Sequence, residues 1–513
     1  MSYSYGRRAT PAPKKTPVAG IVTATVFVIA VVGVFAWLWG LNILHLFTFQ
    51  LRESAIFWTP AGIGAAVLIA AFLFTKKPGV HALAITVAVI SIVAGLVLSI
   101  FANYERLRVY YTQSSTQVEQ VAPDYADRVP FEVASNMSDA EMQDLTGDAQ
   151  ATKSLSDASD HGIWNTLVHT RGPFNGYEAV QTMDLPLFDS ETSPGVDNCR
   201  FEENAKLRDG GALPHNNLSR AIYGMVPLDV DYDFSDAYGY CQDGVPYVAV
   251  PLKQVQGWFY PTHVFYGVAV YNGTTGELTI ADTAEKVAEI PGPIYPMSLA
   301  AVQREALAAN EGWWEMAVSQ TSGYTAATSN TEVQLRRDGD EDGASDYVTT
   351  LTPRGSSKSI IGVSHIPATS GTPGARNTLT VALLPDGQTR ASNKSLTDSL
   401  RGRYSHLADI ANDKLQVFEV TASTEGRWVL TLGRELAVSY RAYVSGDGKQ
   451  ITLINRRGDV VAQNYGAKDS DEGDGEGTLT PVPGADLGEL SDAELAELGK
   501  AIFDELAERG ATE

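Results

Sequence analysis

Residues 56 to 101 read IFWTPAGIGAAVLIAAFLFTKKPGVHALAITVAVISIVAGLVLSIF, and the fold turns on whether they are core helices of a soluble protein or two crossings of a bilayer. Residues 56 to 75 and 80 to 101 carry no charge, and each run has about the length a spanning helix needs. Between them lies a tight turn holding Lys76 and Lys77. Upstream, VAGIVTATVFVIAVVGVFAWLWGL, residues 18 to 41, is equally free of charge and too long for the apolar core of a signal peptide. The pattern predicts a basic tail at 1–17 and a membrane domain at 18–104 with three transmembrane α-helices.

The lysines and arginines set an orientation. Arg7, Arg8, Lys14 and Lys15 precede the first span and Lys76 with Lys77 follows the second, whereas the loop between the first two carries only Arg52 beside Glu53. All six fall on one side if the N-terminus is cytoplasmic, which puts everything after Tyr104 outside the cell membrane. Trp37, Trp39, Trp58, Tyr104, Tyr110 and Tyr111 then sit where interfacial aromatic belts are expected. The only two cysteines, Cys199 and Cys241, both fall in that exterior part and predict one disulfide. Closing so long a loop is worth roughly 4 kcal/mol in the chain-entropy picture. A formal charge of −23 argues against nucleic acid as a partner.

The exterior sequence predicts a multidomain α+β region. A polar tether at 105–135 leads to an α+β unit at 136–311, where SDAE, beginning at Ser138, has capping-box spacing and HVFYGVAVY with LTI forms a hairpin. A β-rich unit follows at 312–385, with an acidic loop between two strands. Residues 386–464 read as a helix plus a β-meander or small barrel, with glycines at the turns. An acidic disordered linker at 465–488 precedes an amphipathic helix at 489–513.

The sharpest motif lies in LRRDGDEDGASDYVTTL, residues 335 to 351. Asp338, Asp340 and Asp342 alternate, Gly343 supplies a turn and Asp346 adds a fourth carboxylate, an order that suits the oxygen-rich shell of Ca2+. An EF-hand would need a glutamate where Thr349 stands. The stretch resembles instead the strand-joining D-x-D-x-D-G-x-x-D loops of integrin-type propellers, over nine residues and once only; the resemblance implies a structural calcium ion. A second run, DVDYDFSD, brings Asp229, Asp231, Asp233 and Asp236 without a closing glycine. Trp258, Tyr260, Trp313 and Trp314 are candidates for an aromatic groove that stacks a glycan or peptide.

Among the common catalytic signatures, no G-x-S-x-G elbow, H-E-x-x-H pair, P-loop or C-x-x-C occurs. The expected function is a membrane-anchored, non-enzymatic scaffold or interaction protein of a bacterial or phage-encoded envelope assembly, with other envelope proteins as partners. The alternative is an extracytoplasmic sensor or ligand-binding protein signalling through a membrane partner. An envelope hydrolase with its site assembled from distant residues comes third.

Overall fold

The computed structural model describes residues 18–464 except 119–124, 126–127, 143–144, 156–162, 186–194, 321–322, 327–334, 338–343, 356–358, 385–391, 405–414, 423–426, 435 and 446–449. The basic tail, the acidic linker and the closing helix expected from the sequence lie outside the described residues.

The described residues begin with three long helices, α1 (Val18–Glu53), α2 (Ala55–Phe74) and α3 (Pro78–Ser114). The second and third are long and apolar enough to cross a membrane. The first becomes a third such helix if its halves, Ala30–Trp37 and Trp39–Glu53, are counted together across a bend of 70°. Helices α2 and α3 pack through small residues. A methyl group added at Gly64 would lie 2.9 Å from the Ser91 side chain, and one at Gly95 would lie 2.9 Å from the Phe57 carbonyl oxygen. Glycine at both places lets the helix backbones approach, the usual device where neither helix gains by hiding apolar surface from lipid.

Beyond the helices the described residues are mostly β, in four sheets. Strand β1 (Ser115–Val118) follows α3 without a break. After α4 (Phe131–Ala140), strands β2 (Gly147–Leu155), β3 (Ile163–Thr170), β4 (Tyr177–Asp184) and β5 (Gly195–Arg200) pair in sequence order. Next come α5 (Leu218–Tyr223), β6 (Val230–Asp231), β7 (Tyr238–Gln242), β8 (Val245–Gln256), β9 (Thr262–Asn272) and β10 (Leu278–Ala281). These strands form a sheet in the order β10-β9-β8-β6, with β7 also on β8. Then follow α6 (Ala284–Ala288), α7 (Met297–Glu305), β11 (Tyr324–Ala326), β12 (Leu335–Arg337), β13 (Ser345–Pro353), β14 (Gly362–Pro367) and β15 (Leu379–Leu383). Their sheet runs β1-β15-β14-β13-β11, with β12 also on β13.

The last unit holds α8 (Asn393–Arg403) and β16 (Gln416–Ala422), β17 (Trp428–Arg434), β18 (Ala437–Val444), β19 (Ile451–Asn455) and β20 (Val460–Asn464). It is a meander in sequence order, and among the described residues it closes no barrel. Helix α8 gives the reason. Leu396, Leu400 and nearby Tyr404 are buried against Trp428, Leu430 and Leu432, so the apolar face is covered by a second layer and need not curl on itself.

Two local expectations are corrected. Ser138 starts no helix: it lies in the last turn of α4, buried, and its hydroxyl donates to Gln181 Oε1 at 2.5 Å. Tyr110 belongs to no surface belt. It is fully buried, in a core with Leu107, Tyr238, Phe265, Tyr295, Leu379 and Val381.

Candidate functional site

One cluster of the residues that join the helices to the β-rich domain centres on His263, at the start of β9. Its neighbours come from three directions because α1, α3 and the loop before β15 meet there. Nε2 lies 2.9 Å from Glu53 Oε1 at the end of α1, and Nδ1 lies 3.1 Å from the Tyr110 hydroxyl of α3. The His263 backbone N–H also donates to the Tyr110 oxygen, leaving the phenolic proton for Nδ1. Arg376 completes the node: its guanidinium lies 4.9 Å from the Tyr110 ring centre and donates to the His263 carbonyl at 2.8 Å, to Gln113 Oε1 at 2.9 Å and to Thr262 Oγ1. Burial pushes the His263 imidazole below its ordinary pKa; the Glu53 carboxylate opposes the shift, and Lys253 and Arg106 add to it.

The second half of α1 lies along the same domain. Asn42 reaches Asn217, His45 stacks on Tyr223 at 4.4 Å between ring centres, Phe49 stacks on His263 at 5.7 Å and Arg52 pairs with Asp229 at 2.6 Å. Asn42, His45, Phe49 and Arg52 recur every three or four residues, so they share one helix face. Ile43, Leu44, Leu46 and Phe47 are exposed on the remainder.

The aromatic candidates sit around the domain-side ends of α2 and α3. Trp258 Nε1 donates to Thr59 Oγ1 at 3.4 Å, and Phe259 with Tyr260 lines a cleft of about 370 Å³ beside Ile63 and Leu98. Trp313 stacks on Phe101 at 4.9 Å, and Trp314 is its neighbour at 6.3 Å. Among the described residues no ring contact joins the two groups.

Of the acidic loop, Asp338, Asp340 and Asp342 lie outside the described residues. Asp346 is on β13, where its Oδ2 meets His365 Nδ1 at 3.1 Å and the Tyr125 hydroxyl at 3.4 Å. Beside it in the sheet, Ser364 donates to the Thr349 carbonyl and so faces away from His365. The four aspartates of DVDYDFSD take separate protein partners. Asp229 holds Arg52, Asp231 accepts from Tyr223, Asp233 caps a short 3-10 turn, and Asp236 accepts from both the N–H and the hydroxyl of Ser298 at the start of α7. Burial lifts Asp236 to about 6, against the Ser298 hydrogen bonds that lower it. Cys199 on β5 and Cys241 on β7 lie at disulfide distance, their Cα atoms 6.2 Å apart.

Sequence reasoning missed a buried charge node and the cleft beside it. Arg128 and Arg336 both pair with Glu419, all three side chains almost wholly enclosed. Burial pushes Arg128 down to about 10; Glu419 opposes this and Arg336 adds to it. Arg336 and Glu419 help wall a cleft of about 590 Å³ between β13, β14, α8 and β16. Nothing local marks such a node, because its members stand far apart in the chain. The His263 node had one local sign, the spacing of Leu107, Tyr110 and Ser114 past the apolar run.

No protein-family model matches the chain, and neither the curated proteins nor the solved structures contain a match.

Proposed function

We propose that the protein is a membrane-anchored scaffold whose exterior domain is held in a fixed attitude and assembles with other envelope proteins. The observation that carries this reading is the continuity of α3, which passes from an apolar run of spanning length into the core of the exterior domain at Leu107 and Tyr110. An anchor of that kind presents a rigid surface, whereas a flexible linker would let the domain tumble. The basic residues flanking the apolar runs favour a cytoplasmic N-terminus in the cell membrane. Calcium in the loop at 338–346 would brace the hairpin between β12 and β13.

Affinity capture of the full-length protein from its own membranes, run with calcium and with chelator and followed by mass spectrometry, tests the assembly. The scaffold reading expects a stoichiometric envelope partner, weakened in chelator if the loop is braced by calcium. Recovery of the protein alone under both conditions would sink it. The 590 Å³ cleft, whose wall carries Lys394, Asp398 and Arg401, favours a second reading, a sensor of a small polar ligand.

A further inference from the structure

Beyond the three long helices, seven of the eleven large apolar side chains exposed among the described residues, Met225, Leu228, Trp258, Phe259, Tyr260, Trp314 and Val318, fall in three short segments that meet the helices, and the others, Val118, Phe174, Leu436 and Val461, are scattered singly along the chain. Met225 and Leu228 flank the second half of α1, where the Leu228 carbonyl meets Thr48 Oγ1 at 3.5 Å. Trp258 and Phe259 are each more than half exposed beside the first turns of α2. Trp314 and Val318 are exposed next to the ring that stacks on Phe101 of α3. Large apolar groups exposed in contiguous patches mark an interaction surface. Here the patches follow the ends of three helices around one side of the domain, and Leu46 and Phe47 of α1 continue them.

We propose that this face of the exterior domain rests on the lipid bilayer, with Trp39–Glu53 lying in the interfacial plane between lipid and protein. The inference builds on the membrane-anchored reading and adds what the domain does once anchored. Lipid is the occupant for three reasons. The face is continuous with the apolar surfaces of α2 and α3, whose opposite ends are marked by Lys76 and Lys77. From Ala55 to Phe74 the helical rise is about 30 Å, the depth of a hydrocarbon core, so the aromatic groups fall at its boundary. Their chemistry is that of an interfacial belt, tryptophan and tyrosine with an apolar body and a polar edge. Residues 225–228, 257–260 and 313–318 carry one acidic side chain and no basic one, so the seat needs no anionic lipid.

The test uses full-length protein in phosphatidylcholine bilayers whose acyl chains are brominated close to the headgroup, compared with unbrominated lipid. Bromine quenches only nearby indoles. The wild type is compared with a Trp258→Phe, Trp314→Phe double variant that keeps apolar rings and is checked for an unchanged melting temperature. Docking expects the two substitutions to remove emission that bromine had quenched, so the quenched amount falls. An unchanged quenched amount, with total emission lower, would show that those two rings lie away from lipid and would overturn the proposal. Trp37, Trp39 and Trp58 provide the separate control. If bromolipid quenches nothing in the wild type, the membrane-anchored reading itself fails.

Discussion

At the scale of single residues, His263 and Glu419 hold more structure than their neighbours. His263 is buried and its pKa is lowered in the folded state, so the unfolded chain takes up the proton first and stability falls as pH drops through about 6.5. We expect the full-length protein to melt lower at pH 5.5 than at pH 7.5, and His263→Phe to shrink that difference while lowering stability at neutral pH by about 1–3 kcal/mol through the orphaned Tyr110 and Glu53 partners. A pH dependence identical in the variant would remove the imidazole from the account. Glu419→Gln leaves Arg128 and Arg336 enclosed without their carboxylate, a change that typically costs about 3–5 kcal/mol. Denaturant melts of the variant would show it, and a loss below about 1 kcal/mol would mean the arginines find other partners. Apart from the spacing of Leu107, Tyr110 and Ser114, neither node was legible from neighbouring letters, because burial and partner choice are settled by contacts between residues from 83 to 291 positions apart.

At the scale of elements, the apolar runs were plain in the sequence because a stretch of that length without a charge has few other uses. The bend in α1 was not, since no proline or glycine stands at Trp37–Trp39 to mark it. Capping signals misled for a related reason. Ser138 offers a cap, yet Pro130 and Phe131 open the helix, and the cap of α7 comes from Asp236, far earlier in the chain. The seam between α2 and α3 is testable at Gly95. Gly95→Leu would drive a side chain into the Phe57 carbonyl, and we expect a lower melting temperature in detergent than Gly62→Leu, where an added Cβ meets nothing within 4 Å. Equal behaviour of the two variants would deny the seam.

For the whole molecule, the sequence suggested a polar tether after the third apolar run, whereas the chain stays helical to Ser114 and enters a sheet at once. Helix α3 is therefore keyed to α2 around Ala88–Gly95 and to the domain core at Leu107 and Tyr110. Inserting one alanine between Tyr104 and Glu105 rotates the lower part by about 100° relative to the upper. Both sets of contacts cannot then be kept, and we expect a clear loss of thermal stability and of the Tyr110 environment. An insertion tolerated without change would show that helix and domain are joined loosely.

Strand β1 adds a mechanical consequence. It leaves α3 and lies parallel to β15, with Ser115 to Val118 in register with Leu379 to Ala382. A pull along the chain, drawing the β-rich domain away from its helices, would load that ladder along its own length. Backbone bonds strained in that direction share the force and give way together, unlike a hairpin opened from its end, which yields one pair at a time. The joint is thus a lap splice, strongest against tension drawn between the helices and the domain they carry.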